Sequence, residues 1–264
     1  MKKSNNSIPY QWFVSKRLAR ILAHLMGDGC VAKYIRYHNK EQALLNQFKT
    51  DFVKLFGNVH FTEGMSNSGT SFVNVQNKRI REILFKLHKD YRSEKIEIPK
   101  QILLSGKPIK KEFLKAFFDD EGCATMKFCQ TSKEIKCAVQ LTSKSLKILR
   151  QIKKLLEKEF SITCNKLMQA TKITGNKKFI TWMLAITGKE NLIRFTDEIN
   201  FYHPRKIENL NQIKAYYVIR KGQPRNVYIF SLLYNYVSGH RSLETPKPIP
   251  NLEQMWQKSH LQES

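Results

Sequence analysis

The chain carries one segment twice. Residues 19–31 read ARILAHLMGDGCV and residues 111–124 read KEFLKAFFDDEGCA. Each is an apolar stretch of helical spacing that ends in an acid, a glycine and a cysteine. The two acids, Asp28 and Glu121, stand 93 residues apart. Recurrence at a fixed period predicts two copies of one folding unit.

The segments downstream of the two copies also match. After Gly29 comes a short hairpin over Val31–His38, then a helical pattern in KEQALLNQFKTDFVKLFG. After Gly122 comes a longer hairpin, Ala124–Gln130 and Ile135–Thr142, then SLKILRQIKKLLEKEF, with apolar residues at 146, 149, 152, 155 and 156. Two further strands come next in each half, NVHFTE and SFVNVQ in the first, CNKLMQATKI and KKFITWMLAIT in the second. Each half closes on a helix, KRIREILFKLH or KENLIRFTDEI. The predicted fold class is α+β, with two pseudo-symmetric αββαββα halves over 10–95 and 106–204. The linker, Ser93–Pro108, holds the chain breakers Pro99, Gly106 and Pro108. Past Pro204 the pattern becomes a C-terminal helical extension, 205–264, with helices over Arg205–Val218 and Val227–Val237 and a mobile tail after the prolines of 242–250.

The repeated motif has the chemistry of a metal site. Ser15 is placed to cap the first helix and Pro108 to start the second. Each helix is expected to end at its glycine, which leaves a carboxylate in the last turn. That charge opposes the macrodipole, and a cation removes the conflict. A carboxylate beside unpaired helix-end carbonyls is the all-oxygen ligand set that magnesium prefers. Ala19, Ala23 and Gly27 recur every fourth residue, and Ala116 holds the place of Ala23 in the second copy. Small residues let helix backbones approach, and packing of the two helices would bring Asp28 beside Glu121. Two adjacent acids repel without metal. With divalent ions they suit phosphodiester hydrolysis.

Charge points to the same substrate class. The 46 basic residues outnumber 22 acidic ones, for a net charge of +24 spread along the chain. A globular protein with that excess seeks a polyanion, and nucleic acid leads. Five cysteines without a C-x-x-C pair argue against a zinc site or a disulfide framework. The N-terminus lacks a signal-peptide core, and no apolar run is long enough to span a bilayer. The expectation is a soluble protein of the cytoplasm or an organelle matrix, with no membrane partner.

At ILAHLMGDG and LKAFFDDEG the chain resembles the LAGLIDADG (DOD-type) family of homing endonucleases. The similarity extends over 15–210, through YHNKEQALLNQF, LTSKSLKILRQIKKLL and GKENLIRFTDEINFYHPRKIENL, the last resembling archaeal and intein members. It implies a double-motif, single-chain, monomeric enzyme. The motif helices form the central interface, and the two antiparallel sheets form a saddle on double-stranded DNA. It implies a double-strand break dependent on Mg2+ (or Mn2+), with short 3′ overhangs. Asp28 and Glu121 match the catalytic, metal-binding acids, and the carbonyls of Gly27 and Asp120 match supporting ligands. Lys78 and Lys189 match lysines found where the last strand of each half meets its final helix, and there a cation would stabilise developing charge. Asn39 and Ser143 hold matching polar places and are read as solvent-exposed.

One face of each saddle strand is expected to contact DNA. The candidates are Lys33, Arg36 and His38 in the first half. In the second they are Lys127, Gln130, Lys136, Gln140, Gln169, Lys172 and Lys178. The first-half hairpin, CVAKYIRYHN, is the shorter of the two, which shortens the saddle on that side. Two alternatives share the scaffold: an RNA-splicing maturase, with intron RNA as partner, and a catalytically silent DNA-binding regulator. An initial methionine and a terminal LQES lack splice-junction residues, so the reading is a free-standing, intron-encoded product.

Overall fold

Ser15 begins the first helix as expected, its hydroxyl accepting from the Leu18 N–H. The computed structural model describes residues 15–129, 131, 134–174 and 177–219. Helix α1 spans Lys16–Met26 and is followed by strands β1, Gly29–Val31, and β2, Ile35–Asn39. Helix α2, Gln42–Phe56, precedes strands β3, Phe61–Met65, and β4, Ser71–Val75. Helix α3, Lys78–Leu87, closes the half. A short α4, Lys100–Leu103, leads to α5, Lys107–Glu121, and the plan repeats. Strands β5 and β6 span Gly122–Cys129 and Glu134–Ser143, then α6 spans Leu146–Glu159. Strands β7 and β8 span Met168–Thr174 and Lys177–Thr187, and α7 spans Lys189–Glu198. Helix α8 spans Pro204–Ile219.

Both sheets are antiparallel and have the same topology, β1-β2-β4-β3 and β5-β6-β8-β7. The α+β class and the αββαββα order are as the sequence predicts. The hairpins differ as expected: β1 and β2 have 3 and 5 residues, β5 and β6 have 8 and 10. Among the described residues, 15–127 and 136–219 belong to one compact unit that holds both motif helices. The expected helix over Val227–Val237 and the tail lie outside the described residues. Among the described residues no helix is long and apolar enough to cross a membrane.

The centre of that unit is α1 packed on α5. Ala19, Ala23 and Ala116 are fully buried there. A Cβ added to Gly27 would stand 2.6 Å from the Asp120 Cβ, so only glycine admits the facing helix. Arg20 ties the halves together. It donates from Nε and Nη2 to both Asp51 carboxylate oxygens of α2, and from Nη1 to Glu112 of α5 at 2.7 Å. The linker is no loose tether. Ile96 and Ile98 are buried, the Ile96 carbonyl accepts from Ser145 Oγ, and the Ile98 N–H donates to Gln151.

Candidate active site

Both motifs turn directly from helix into strand, and their glycines make that turn possible. A Cβ on Gly29 would stand 2.6 Å from the Leu25 Cα, and one on Gly122 would stand 2.7 Å from the Phe118 carbonyl oxygen. The two ends are not identical. Glu121 is the last residue of α5, with Gly122 as its cap, as expected. Helix α1 stops at Met26 and is capped by Gly27, two residues earlier than expected. Asp28 therefore lies just past the helix, where its carbonyl accepts from the His38 N–H.

Burial and neighbouring carboxylates raise both motif acids. The Asp28 carboxyl is pushed up to about 7, first by burial of its surroundings and then by the charge of Asp120. Glu121 is also pushed up to about 7, by burial, then by Asp28 and by Asp120. Lys206 opposes the rise in both. A recess of about 300 Å³ opens at Asp28, lined also by His38, Asn39, Lys40, Asp120, His203 and Lys206. Among the described residues no three His, Cys, Asp or Glu side chains are grouped to hold a metal ion. The donor set is two carboxylates with carbonyls of the turns that carry them. It fits a hard, oxygen-seeking divalent cation whose remaining positions are filled from outside the chain.

Asp120 also brings a side chain to the site. Its side chain is fully buried between the motif helices. Oδ2 accepts from His24 Nδ1 at 3.0 Å, and Oδ1 accepts from Tyr37 Oη at 2.8 Å and from Asn39 Nδ2 at 3.4 Å. Burial alone would lower the His24 pKa, but the Asp120 charge and hydrogen bond raise it. Asn39 and Ser143 are buried, not exposed. Each accepts from the backbone N–H two residues on, at Glu41 and Ser145, and so turns a strand into the next helix.

The cation that the sequence reasoning missed is Lys206. Its ammonium donates to the Asp119 carbonyl and, at 3.3 Å, to the Phe118 carbonyl, at the negative end of α5. Burial lowers its pKa while Asp119, Asp120 and Asp28 raise it. The buried Asp119 carboxylate holds the start of this segment by accepting from the Tyr202 and His203 N–H groups. Asn209 of α8 donates to the Ala124 carbonyl. Lys78 and Lys189 stand exposed at the first positions of α3 and α7, and neither forms an ion pair among the described residues.

The strand candidates divide by register. Arg36 and His38 alternate with buried Ile35, Tyr37 and Asn39, and His38 lines the Asp28 recess. The outer face of the first sheet is thus continuous with the acids. Lys33 is exposed in the β1–β2 turn. Lys136 and Gln140 alternate with buried Cys137, Val139 and Leu141, and Lys127 is exposed on β5. Gln169 departs from the expectation. It pairs with Trp182, whereas Gln140 pairs with Ala185, so alternation puts the two glutamines on opposite faces. Gln130 lies outside the described residues, as do the side chains of Lys172 and Lys178.

Residues 108–200 match the model of the LAGLIDADG-like domain. A probable translation initiation factor IF-2 of Methanocaldococcus jannaschii is 29% identical over 252 residues, covering 87% of this chain and 19% of that protein. A replication factor C small subunit of the same organism is 27% identical over 203 residues, covering 75% of this chain and 10% of that protein. The chain thus spans about a fifth and a tenth of these relatives. Among solved structures, a mesophilic variant of the homing endonuclease I-DmoI superposes with a TM-score of 0.50 at 14% identity, over 71% of this chain and 97% of that one. An I-DmoI variant in complex with its target DNA in the presence of manganese gives 0.50 at 13%, over 71% and 95%. Full-length DUF199/WhiA from Thermatoga maritima gives 0.50 at 13%, over 90% and 70%.

Proposed function

We propose that this chain, whose residues 108–200 match the LAGLIDADG-like domain, is a LAGLIDADG-family, site-specific endonuclease that cuts both strands of duplex DNA with magnesium or manganese. The observation that carries the reading is the acid pair: Asp28 and Glu121, from the two copies of the motif, are both held near pKa 7 by burial and nearby carboxylates. Such a pair gains most from a shared or neighbouring divalent cation. The carboxylates of Asp28 and Glu121 and the carbonyls of Gly27 and Asp120 would hold the ions, and DNA phosphate would complete the set. A bound ion supplies an activated water and stabilises the leaving oxygen. The Lys206 ammonium, beside the acids, balances their charge and favours an incoming phosphate. Arg36, His38, Lys127, Lys136 and Gln140 present polar groups on the outer sheet faces. The net charge of +24 supports a long anionic partner.

The relatives support a mobile element. Segments like this chain form minor parts of a translation factor and a replication factor, which share no activity in name. A module that recurs in unrelated hosts fits an enzyme that opens DNA for its own gene. The 3′ overhangs and the intron-encoded origin belong to this proposal. A second reading, DNA binding without cutting, shares the scaffold: full-length DUF199/WhiA superposes over 90% of this chain.

The test is selection from a randomised duplex library, read once for bound sites and once for ends cut with magnesium. Cut ends from both strands, absent with Asp28→Asn, are expected. Bound sites that are never cut would replace this reading with the second one.

A further inference from the structure

The shortened first hairpin has one side chain held ready for recognition. Arg36 lies on β2 between two aromatic rings, with its guanidinium carbon 4.4 Å from the Tyr34 centroid and 4.4 Å from the Phe72 centroid. Its Nε donates to Asn74 Oδ1 at 2.5 Å, across the β2–β4 ladder where Arg36 pairs with Asn74. The two Nη groups have no hydrogen-bond partner among the described residues. Stacking and the single side bond fix the plane of the fork while its outer edge stays available. The clamp is itself supported: Phe72 lies over Gly64 of β3, where a Cβ would stand 2.7 Å from the ring's Cζ, and the His38 ring lies tilted beside it at 5.6 Å.

We infer that Arg36 is a specificity-determining residue that reads a guanine in duplex DNA, close to the phosphate at Asp28. The inference rests on the duplex-DNA reading above. A guanidinium fork with two free donors matches guanine O6 and N7 in the major groove, and no other base offers that pair of acceptors. Position sets the distance from the chemistry. His38 pairs with Asp28 through the backbone and lines its recess. Arg36 is two residues further along the same face, about 7 Å at the usual strand rise. With base pairs about 3.4 Å apart, the guanine lies roughly two or three pairs from the bond at Asp28. The β1–β2 ladder runs on for a single further pair, Val31 with Ile35. Arg36, with Cys30 opposite it, thus stands at the outer end of that ladder's outward face.

The matching place in the second half differs. Gln140 stands three residues before Ser143 as Arg36 stands three before Asn39, but it is an uncharged amide whose ladder partner is Ala185. The two half-sites are therefore read differently here.

The test uses the full chain. Bound sites are selected from a randomised duplex library with the wild type, Arg36→Gln and Asn74→Ala, and cut positions are mapped on the wild-type sites. The expected wild-type consensus has a guanine about two or three pairs from the first-half cut. Arg36→Gln loses about 5- to 150-fold of discrimination at that pair and keeps the rest of the consensus. Asn74→Ala, which keeps the charge but frees the fork, weakens discrimination at the same pair with little change in overall affinity. It serves if Arg36→Gln melts early. A consensus in which neither variant changes that pair overturns the inference and leaves the DNA reading standing. Failure of the wild type to select any site sinks the DNA reading and this inference with it.

Discussion

Asp120 fills the space that Gly27 leaves open on the facing helix. Their pseudo-symmetric places in the two motifs meet across the interface, with 2.6 Å between the Asp120 Cβ and the Cβ that Gly27 lacks. One motif supplies the gap and the other a buried carboxylate, which His24, Tyr37 and Asn39 satisfy. The pairing aligns the two helix ends, and with them Asp28 and Glu121.

Asp28→Asn or Glu121→Gln should abolish double-strand cutting and leave DNA affinity largely intact. Each substitution removes a charge needed for metal while preserving shape. Binding by gel shift and cutting with magnesium on one selected site separate the two effects. Full cutting by either variant would sink the two-acid mechanism.

Lys206→Met should slow cutting by about 100-fold, the scale of losing one well-placed stabilising donor. Lys206→Arg should recover part of the loss, because the charge returns with a different reach. Single-turnover rates at saturating metal report this directly. A Met variant that cuts at the wild-type rate would make Lys206 a helix cap and nothing more.

Asp120→Ala should destabilise the fold by roughly 3–5 kcal/mol, since it leaves the partners of a buried ion pair unsatisfied. Adding His24→Phe, the residue type that Phe117 supplies in the second motif, should recover much of that loss. Apolar replacement of a buried pair is often neutral. Urea unfolding of the single and double variants is the measurement, and equal losses in both would contradict the coupling.

Stability should fall as pH rises in the metal-free protein. Asp28 and Glu121 titrate near 7 when folded, against ordinary values of 3.8 and 4.5. A raised folded value means that the contribution is fully present below the unfolded pKa and is lost as pH passes through 7. The raised His24 acts in the same direction, while the lowered His38, His88 and His203 oppose it. Melting should therefore respond to magnesium more strongly at about pH 8 than at about pH 5, where protons compete for the carboxylates. Asp28→Asn combined with Glu121→Gln should remove that difference in calorimetry.

The sequence by itself determined the repeat, the α+β class and the order of elements in both halves, and it marked the two acids as candidates. These are carried by local periodicity and by a motif that recurs, and neither depends on distant contacts. The unequal hairpins were legible for the same reason. Tertiary structure alone decided which side chains meet. Lys206 reaches the acids from 85 residues beyond Glu121, and in a chain with 46 basic residues no spacing marks it out. Asn39 and Ser143 look exposed in a polar stretch, yet the strand-to-helix turns bury them. Gln169 shows why strand faces resist sequence reading. The alternation is visible, but its phase is set by pairing with Trp182, and a one-residue change of register would send the side chain to the other face. The pairing of Gly27 with Asp120 belongs to both levels: glycine and aspartate stand in the motif for anyone to read, but only the packing of α1 on α5 makes one the socket of the other.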